Sequence, residues 1–119
     1  MQSYKELIVW QRSTELVVEV YKLTQKFPKE EMFGLISQMR RAAVSIPSNI
    51  AEGYARKHTA EYTQFLRIAF GSGAELETQL ILSEKLRFVS RAEVTKSTTL
   101  LNETMRMLNK LISTLVAKP

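Results

Sequence analysis

Apolar side chains recur every three or four residues through four long segments of the 119-residue chain, and no segment alternates as a strand would. This spacing predicts four helices, each roughly 23 to 30 residues long. Short connections between long helices favour antiparallel neighbours. The sequence therefore predicts an all-α fold, an antiparallel up-down-up-down four-helix bundle that forms a single domain over residues 1–119.

Serine and proline mark where the helices are expected to begin and end. Ser3-Tyr4-Lys5-Glu6 and Ser90-Arg91-Ala92-Glu93 both have the S-x-x-E form of a capping box, which predicts helix starts at these two places. Pro28 is expected to end helix 1 and to stand near the start of helix 2. The predicted core stripes are Leu7, Trp10, Thr14, Val17, Tyr21 and Thr24 in helix 1; Met32, Leu35, Ile36, Met39, Ala43, Ile46 and Ile50 in helix 2; Tyr62, Phe65, Leu66, Ala69, Gly73, Leu76 and Leu80 in helix 3; and Val94, Leu101, Met105, Leu108, Ile112 and Leu115 in helix 4.

The segment SIPSNIAEGYARK, residues 45–57, places a proline inside helix 2. The apolar stripe passes Pro47 without losing its phase, so we expect a kink near Pro47 and no break. Gly53 is expected to loosen the end of the helix. The polar side of this helix has three interpretations: a solvated face, a subunit contact, or a small-molecule or nucleic-acid site. Its residues are Arg41, Ser45, Ser48, Asn49, Glu52 and Arg56.

Helices 1 and 3 carry more apolar residues than the interior of a single bundle needs. Large exposed apolar surfaces usually mark interfaces, so the sequence predicts a homo-oligomer. The alternative is that long lysine and arginine stems cover part of this surface. The candidate contact residues are Trp10, Phe70, Ala74, Ile81 and Phe88.

Positive charge is concentrated at the end of the chain. Residues 1–84 carry ten basic and ten acidic side chains, whereas residues 85–119 carry seven basic and two acidic ones. Such a surface suits RNA or another acidic partner, although a solvated helix face is the simpler interpretation. The candidate nucleic-acid-binding residues are Arg40, Arg41, Arg56, Lys57, Lys96, Arg106 and Lys110.

The residues needed for common catalytic and metal sites are scarce. The chain has no cysteine and one histidine, His58, which has Ala55 rather than glutamate three residues before it. The Glu-x-x-His motif of metal-binding bundles is therefore missing, and zinc sites of histidine and cysteine are excluded. Gly71-Ser72-Gly73 does not have the form of a phosphate loop and is expected to permit close helix packing. The sequence predicts no enzyme activity, cofactor, metal site or membrane span, and a cytoplasmic protein.

Three stretches carry a family resemblance: LIVWQRS, then FPKEEMFGLISQMRRAAVSIPSNIAEG, then FLRIAFGSGAELETQL. With these stretches the chain resembles the bacterial four helix bundle protein family. This family is also called the 23S rRNA intervening-sequence protein family, because some members are encoded within insertions in the large ribosomal RNA gene. The resemblance implies a kinked bundle and a cyclic pentamer, with no catalytic residues.

The same resemblance implies a more distant relative, the accessory subunit of diversity-generating retroelements, a basic pentamer that binds reverse transcriptase and RNA. The motif positions matched in this chain are interpreted first as structural or interfacial residues. They are Arg40, Arg41, Pro47, Asn49, Glu52 and Gly53.

The leading functional hypothesis is a non-enzymatic homo-oligomeric scaffold or adaptor, a pentamer by resemblance, whose basic surface binds RNA or another acidic partner. The alternative is a protein-protein interaction module with no affinity for nucleic acid.

Overall fold

The computed structural model describes residues 3–117, and within them every regular element is helical. Four α-helices follow one another: α1, Ile8–Thr24; α2, Leu35–Arg56; α3, Thr59–Lys85; and α4, Arg91–Val116. Short 3-10 helices at Tyr4–Glu6 and Lys29–Glu31 precede α1 and α2. The predicted all-α four-helix fold is confirmed.

Each helix packs against two neighbours around an elongated bundle measuring 48 × 22 × 20 Å. The neighbouring pairs are α1 with α2, α2 with α3, α3 with α4, and α4 with α1, whereas among the described residues the backbones of the two diagonal pairs stay more than 8 Å apart. Met39 contacts Ser83, and Ser45 contacts Ser72, as expected of antiparallel neighbours. The complete up-down-up-down order stays a prediction.

The capping box expected at the start of α4 is confirmed, and the one expected at Ser3 is wrong. Ser90 Oγ accepts a hydrogen bond from the Glu93 amide at 3.1 Å, and the Ser90 amide donates to Glu93 Oε1 at 2.9 Å. Ser3 Oγ instead accepts from the Lys5 amide, because the next residues form a 3-10 turn, in which the third residue is placed differently. Helix α1 begins only at Ile8.

Helix α2 begins later than predicted, because the backbone at Gly34 leaves the helical path. Its φ of −111° and ψ of −114° separate the 3-10 turn after Pro28 from the helix that starts at Leu35. Glu31 Oε1 accepts from the Leu35 amide at 3.2 Å and so satisfies one of the free donors at this helix start. Met32, predicted in the core stripe, is exposed as a result.

The core stripe of α1 lies mainly one residue earlier than predicted. Leu16 and Val20 are fully buried, whereas the predicted Tyr21 is exposed. Apolar side chains cover most of this helix, so periodicity alone does not fix which side faces inward. Two buried hydroxyls are accommodated because each donates to a carbonyl of its own helix, Ser13 to Trp10 and Thr24 to Val20, both at 2.8 Å.

The remaining core follows the predicted stripes closely. Helix α2 runs without interruption from Leu35 to Arg56, and Pro47 is buried within it. The expected kink near Pro47 stays a prediction. The buried apolar residues and glycines from the predicted stripes are Ile36, Met39, Ala43, Ile46 and Ile50 in α2, Leu66, Ala69, Gly73, Leu76 and Leu80 in α3, and Val94, Leu101 and Leu108 in α4.

Candidate interaction surfaces

The polar residues around Pro47 join α2 to α3. Ser45 Oγ lies 2.8 Å from Ser72 Oγ, which links the two helices directly. The Asn49 side-chain amide donates to the Ser45 carbonyl at 2.7 Å and to Ser45 Oγ at 2.9 Å. Ser45 therefore joins the two helices and Asn49 holds it in place, so a ligand would meet these side chains only in part.

Gly53 allows α2 and α3 to approach each other, which corrects the expectation that it loosens the helix end. A Cβ atom at Gly53 would lie 2.7 Å from Phe65 Cβ and 3.2 Å from the Tyr62 carbonyl oxygen. In α3, Gly73 is buried against Met105, as expected of a packing glycine, whereas a Cβ at Gly71 would meet nothing within 4 Å.

The exposed end of α2 is tied to the start of α3 by charges. Arg56 bonds Glu52 at 2.9 Å and Glu61 at 3.5 Å, and its guanidinium lies 5.1 Å from the centre of the Phe65 ring. The predicted pair of Glu52 with Arg56 is thus present. Ser48 and Arg41 lie exposed on the outer side of the same helix.

Two more candidate nucleic-acid-binding cations are engaged by neighbouring helices. Arg40 Nε donates to Thr24 Oγ1 at 2.9 Å, and its guanidinium lies 4.5 Å from the centre of the Tyr21 ring. Lys96 pairs with Glu19 at 3.0 Å. Arg40 and Lys96 therefore connect helices, in addition to any role in binding.

Ion pairs also join the outer edges of α1 and α4. Arg12 Nε donates to Glu103 Oε1 at 2.7 Å, which raises the pKa of the guanidinium. The hydrogen bond from Lys96 holds the pKa of Glu19 below its ordinary value. These two contacts place opposite charges together across α1 and α4.

The helix start of α4 contributes a third pair. Lys26 Nζ lies 3.3 Å from Glu93 Oε2. The pKa of Glu93 is lowered, first by the hydrogen bond from the Ser90 amide and then by Lys26. The side of the bundle formed by α1 and α4 thus satisfies much of its own charge.

Four candidate cations remain directed to solvent. Arg41, Lys57, Arg106 and Lys110 are exposed, and among residues 3–117 none of them has a carboxylate within ion-pair distance. Lys57 has a left-handed backbone with φ of 62° after the end of α2. Arg106 and Lys110 lie one turn apart on α4, so their charges share one face of that helix.

The five candidate contact residues differ in how far they are exposed. Ile81 is 52% exposed and lines a groove of about 330 Å³ between α3 and α4, and Ala74 is exposed on the same helix. Phe70 is half-buried and packs on the core. The aromatic rings of Trp10 and Phe88 have neighbours within the chain, with centroid distances of 5.4 Å in both contacts, to Tyr4 and to Phe27.

An apolar surface that the sequence did not reveal surrounds the start of α2. Phe33 is 96% exposed, and with Tyr21, Met32 and Val44 it lines a groove of about 580 Å³ between α1 and α2. The glycine directly after Phe33 was the available signal, because glycine can interrupt a helical pattern and so release its neighbour from the core stripe.

The described residues offer no site for catalysis by metal. Within residues 3–117, no three side chains of the metal-binding types are grouped closely enough to hold an ion. No helix over the same range is sufficiently long and apolar to cross a membrane.

The helix arrangement and its buried α2–α3 contact define an all-α four-helix bundle whose exposed features are apolar and charged surfaces. The sequence profile of the 23S rRNA-intervening sequence protein family matches residues 5–110, and the chain belongs to that family.

Structural comparison agrees with this fold. A 1.70 Å crystal structure of a protein of unknown function from the S23 ribosomal protein family of Bacteroides thetaiotaomicron superposes with a TM-score of 0.82 at 24% sequence identity. The superposition covers 89% of this chain and 96% of that one. A search among curated proteins finds no match to the chain.

Proposed function

We propose that the protein is a non-enzymatic homo-oligomeric scaffold that acts in the cytoplasm and presents a basic surface to RNA or another acidic partner. The observation that carries the proposal is the amount of apolar surface left exposed on α1, on α3 and around Phe33. A closed assembly of copies would cover such surfaces, and the family resemblance favours a ring of five subunits.

The basic surface is formed by the cations that the bundle leaves without ion pairs. Arg106 and Lys110 on α4 are the strongest candidates, because no ion pair within residues 3–117 engages them and they lie one turn apart on the same face of the helix. Repetition of this pair around a ring would combine weak phosphate contacts into useful affinity.

A second candidate function is a protein-protein interaction module, with no affinity for nucleic acid. It is favoured by the three candidate cations that have partners within the chain, namely Arg40, Arg56 and Lys96. These contacts reduce the positive charge available to phosphate.

Light scattering on the purified protein at micromolar concentration tests the assembly. The proposal predicts a mass several times that of the 13.7 kDa chain. A monomer would overturn the homo-oligomeric scaffold.

Binding of a structured RNA across a salt series separates the two functions. The RNA-binding scaffold should lose affinity steeply between about 50 and about 200 mM salt. Lys110→Glu should weaken RNA binding and make the affinity less dependent on salt concentration. Lys29→Glu, which reverses an exposed lysine far from α4 in the chain, is the matched control and should have a smaller effect. Absence of binding at low salt would leave the protein-protein interaction module.

A further inference from the structure

The α1–α2 groove is a concave apolar surface with a cation at one end. Phe33 and Met32 form one end, Ser37 lies in the middle, and Val44 and Arg41 form the other end. Arg41 is exposed and, among the described residues, has no ion pair. A ligand that fits this groove should therefore offer apolar side chains and a carboxylate.

The outer side of α3 is a convex surface with those properties. Ile68, Glu75 and Leu82 lie seven residues apart, which places them on the same side of the helix, and Leu86 follows one turn later. Leu82 is 42% exposed and Leu86 is 56% exposed. We refer to these four residues as the α3 ridge.

Glu75 on the ridge has little engagement within its own chain. It accepts one long hydrogen bond of 3.4 Å from Gln79 and has no ion pair within residues 3–117. Glu75 and Arg41 both line a small groove between α2 and α3, yet they do not form an ion pair there. Each charge is available to a second molecule.

Two contacts between α2 and α3 mark two heights along the long axis of the bundle. We call the height nearer the start of α2 the upper level and the other the lower level. Ser83 Oγ donates to Met39 Sδ at 3.4 Å, which sets an upper level. Ser45 Oγ lies 2.8 Å from Ser72 Oγ, which sets a lower level.

Along the bundle axis, the apolar and charged residues of the groove follow the same order as those of the α3 ridge. Phe33 and Leu86 both lie above the upper level, whereas Arg41 and Glu75 both lie between the two levels. A rotation about an axis parallel to the helices keeps every residue at its own level. A ring of copies around such an axis would therefore bring apolar residues onto apolar residues, and Arg41 onto Glu75.

We propose that the α1–α2 groove binds the α3 ridge of a second copy of this chain. Leu82 of one copy packs on Ser37 of the next, Leu86 packs on Phe33, and Glu75 pairs with Arg41. The two surfaces differ, so the contact is heterologous, and they lie on neighbouring helices rather than opposite ones. Each copy is then turned relative to the last, which favours a closed ring over a straight filament.

This inference rests on the proposed homo-oligomer and specifies how its subunits meet. Charge reversal tests it, with the subunit number measured by native mass spectrometry across protein concentration. Arg41→Glu and Glu75→Arg should each weaken assembly about tenfold or more, because like charges then face each other. The double variant, Arg41→Glu with Glu75→Arg, should recover assembly.

Mixing the two single variants separates a contact between copies from one within a chain. In the mixture, the reversed groove of one variant can face the reversed ridge of the other, and the two unchanged surfaces can also face each other, so mixed assemblies should form. An even number of subunits should be favoured, because an odd ring leaves one interface with like charges.

The outcomes distinguish this inference from the function on which it rests. Assembly of all variants at wild-type strength would overturn the groove-to-ridge contact and leave the oligomer standing. Recovery in the double variant without mixed assembly would assign the pair to a single chain and also overturn it. A monomeric wild-type protein would overturn the proposed function itself. Arg106→Glu is the control and should leave the subunit number unchanged.

Discussion

The α1–α4 side and the middle of the outer α2–α3 side of the bundle differ in how their charged residues are paired. Across α1 and α4, Arg12 pairs with Glu103 and Lys96 pairs with Glu19. On the outer α2–α3 side, Arg41 lacks an ion pair within residues 3–117, and leucines are exposed. The charges compared on the first side are satisfied within the chain, whereas Arg41 on the second side is available to another molecule.

The largest expected effect comes from changing the most exposed aromatic ring on the outer side. Phe33→Glu should abolish assembly at micromolar concentration, because it removes an apolar anchor and adds a charge, a loss of about 2 kcal/mol or more per contact. The monomer should keep its helix content, since the Phe33 ring is 96% exposed and makes little contact with the core. Light scattering and circular dichroism measure the two effects.

Phe70→Glu provides the contrasting variant. Phe70 is half-buried and packs on the core, so we expect it to lower the free energy of unfolding. If Phe33→Glu also unfolded the chain, the assignment of Phe33 to a surface contact would be wrong.

The next largest effect concerns the inner side of the same two helices. Gly53→Ala should destabilise the protein by about 1 to 3 kcal/mol, because its Cβ would lie 2.7 Å from Phe65 Cβ. Gly71→Ala is the matched control, because Gly71 is exposed on α3 and a Cβ there would meet nothing within 4 Å. This substitution should stabilise the protein by about 0.5 to 1 kcal/mol. Urea unfolding measures both, and equal effects would contradict the close approach at Gly53.

The sequence predicted the helices better than it predicted their surfaces. Helices α2 and α4 have polar faces that leave one direction for the apolar stripe, so Ile46 and Leu108 were placed correctly in the core. Helix α1 is apolar on most sides, so the side that faces the core is decided by packing against α2 and α4. The periodicity of the sequence carries no information about that packing.

The candidate surfaces depended on contacts that only the folded chain shows. The engagement of Arg40 by Thr24 requires two helices to meet, so its charge could not be assessed from the sequence. Phe33 was missed because the apolar pattern of the sequence continues through Gly34. The predicted roles of the candidate residues in assembly and nucleic-acid binding stay predictions.

The smallest expected effect belongs to the α1–α4 side. The pKa of Glu19 is lowered in the folded protein, chiefly by its hydrogen bond from Lys96. The unfolded chain therefore binds a proton more readily, so this contribution to stability is present above about pH 4.3 and is lost as the pH falls through the lower folded value.

Glu19→Gln should cost about 0.2 to 1 kcal/mol at neutral pH, and the difference from the wild type should disappear in acid. Urea unfolding at pH 7 and near pH 3 measures this change. A difference that persists in acid would show that Glu19 acts through packing and not through its charge.

Disulfide trapping between single-cysteine variants tests most directly whether the outer sides of α2 and α3 meet. The natural chain has no cysteine, so Ser37→Cys and Leu82→Cys each introduce one thiol. Mixed and oxidised, the two variants should form a covalent dimer that contains one chain of each, while either variant alone should form little. No dimer in a mixture that still forms oligomers, or equal dimer formation by each variant alone, would contradict the contact.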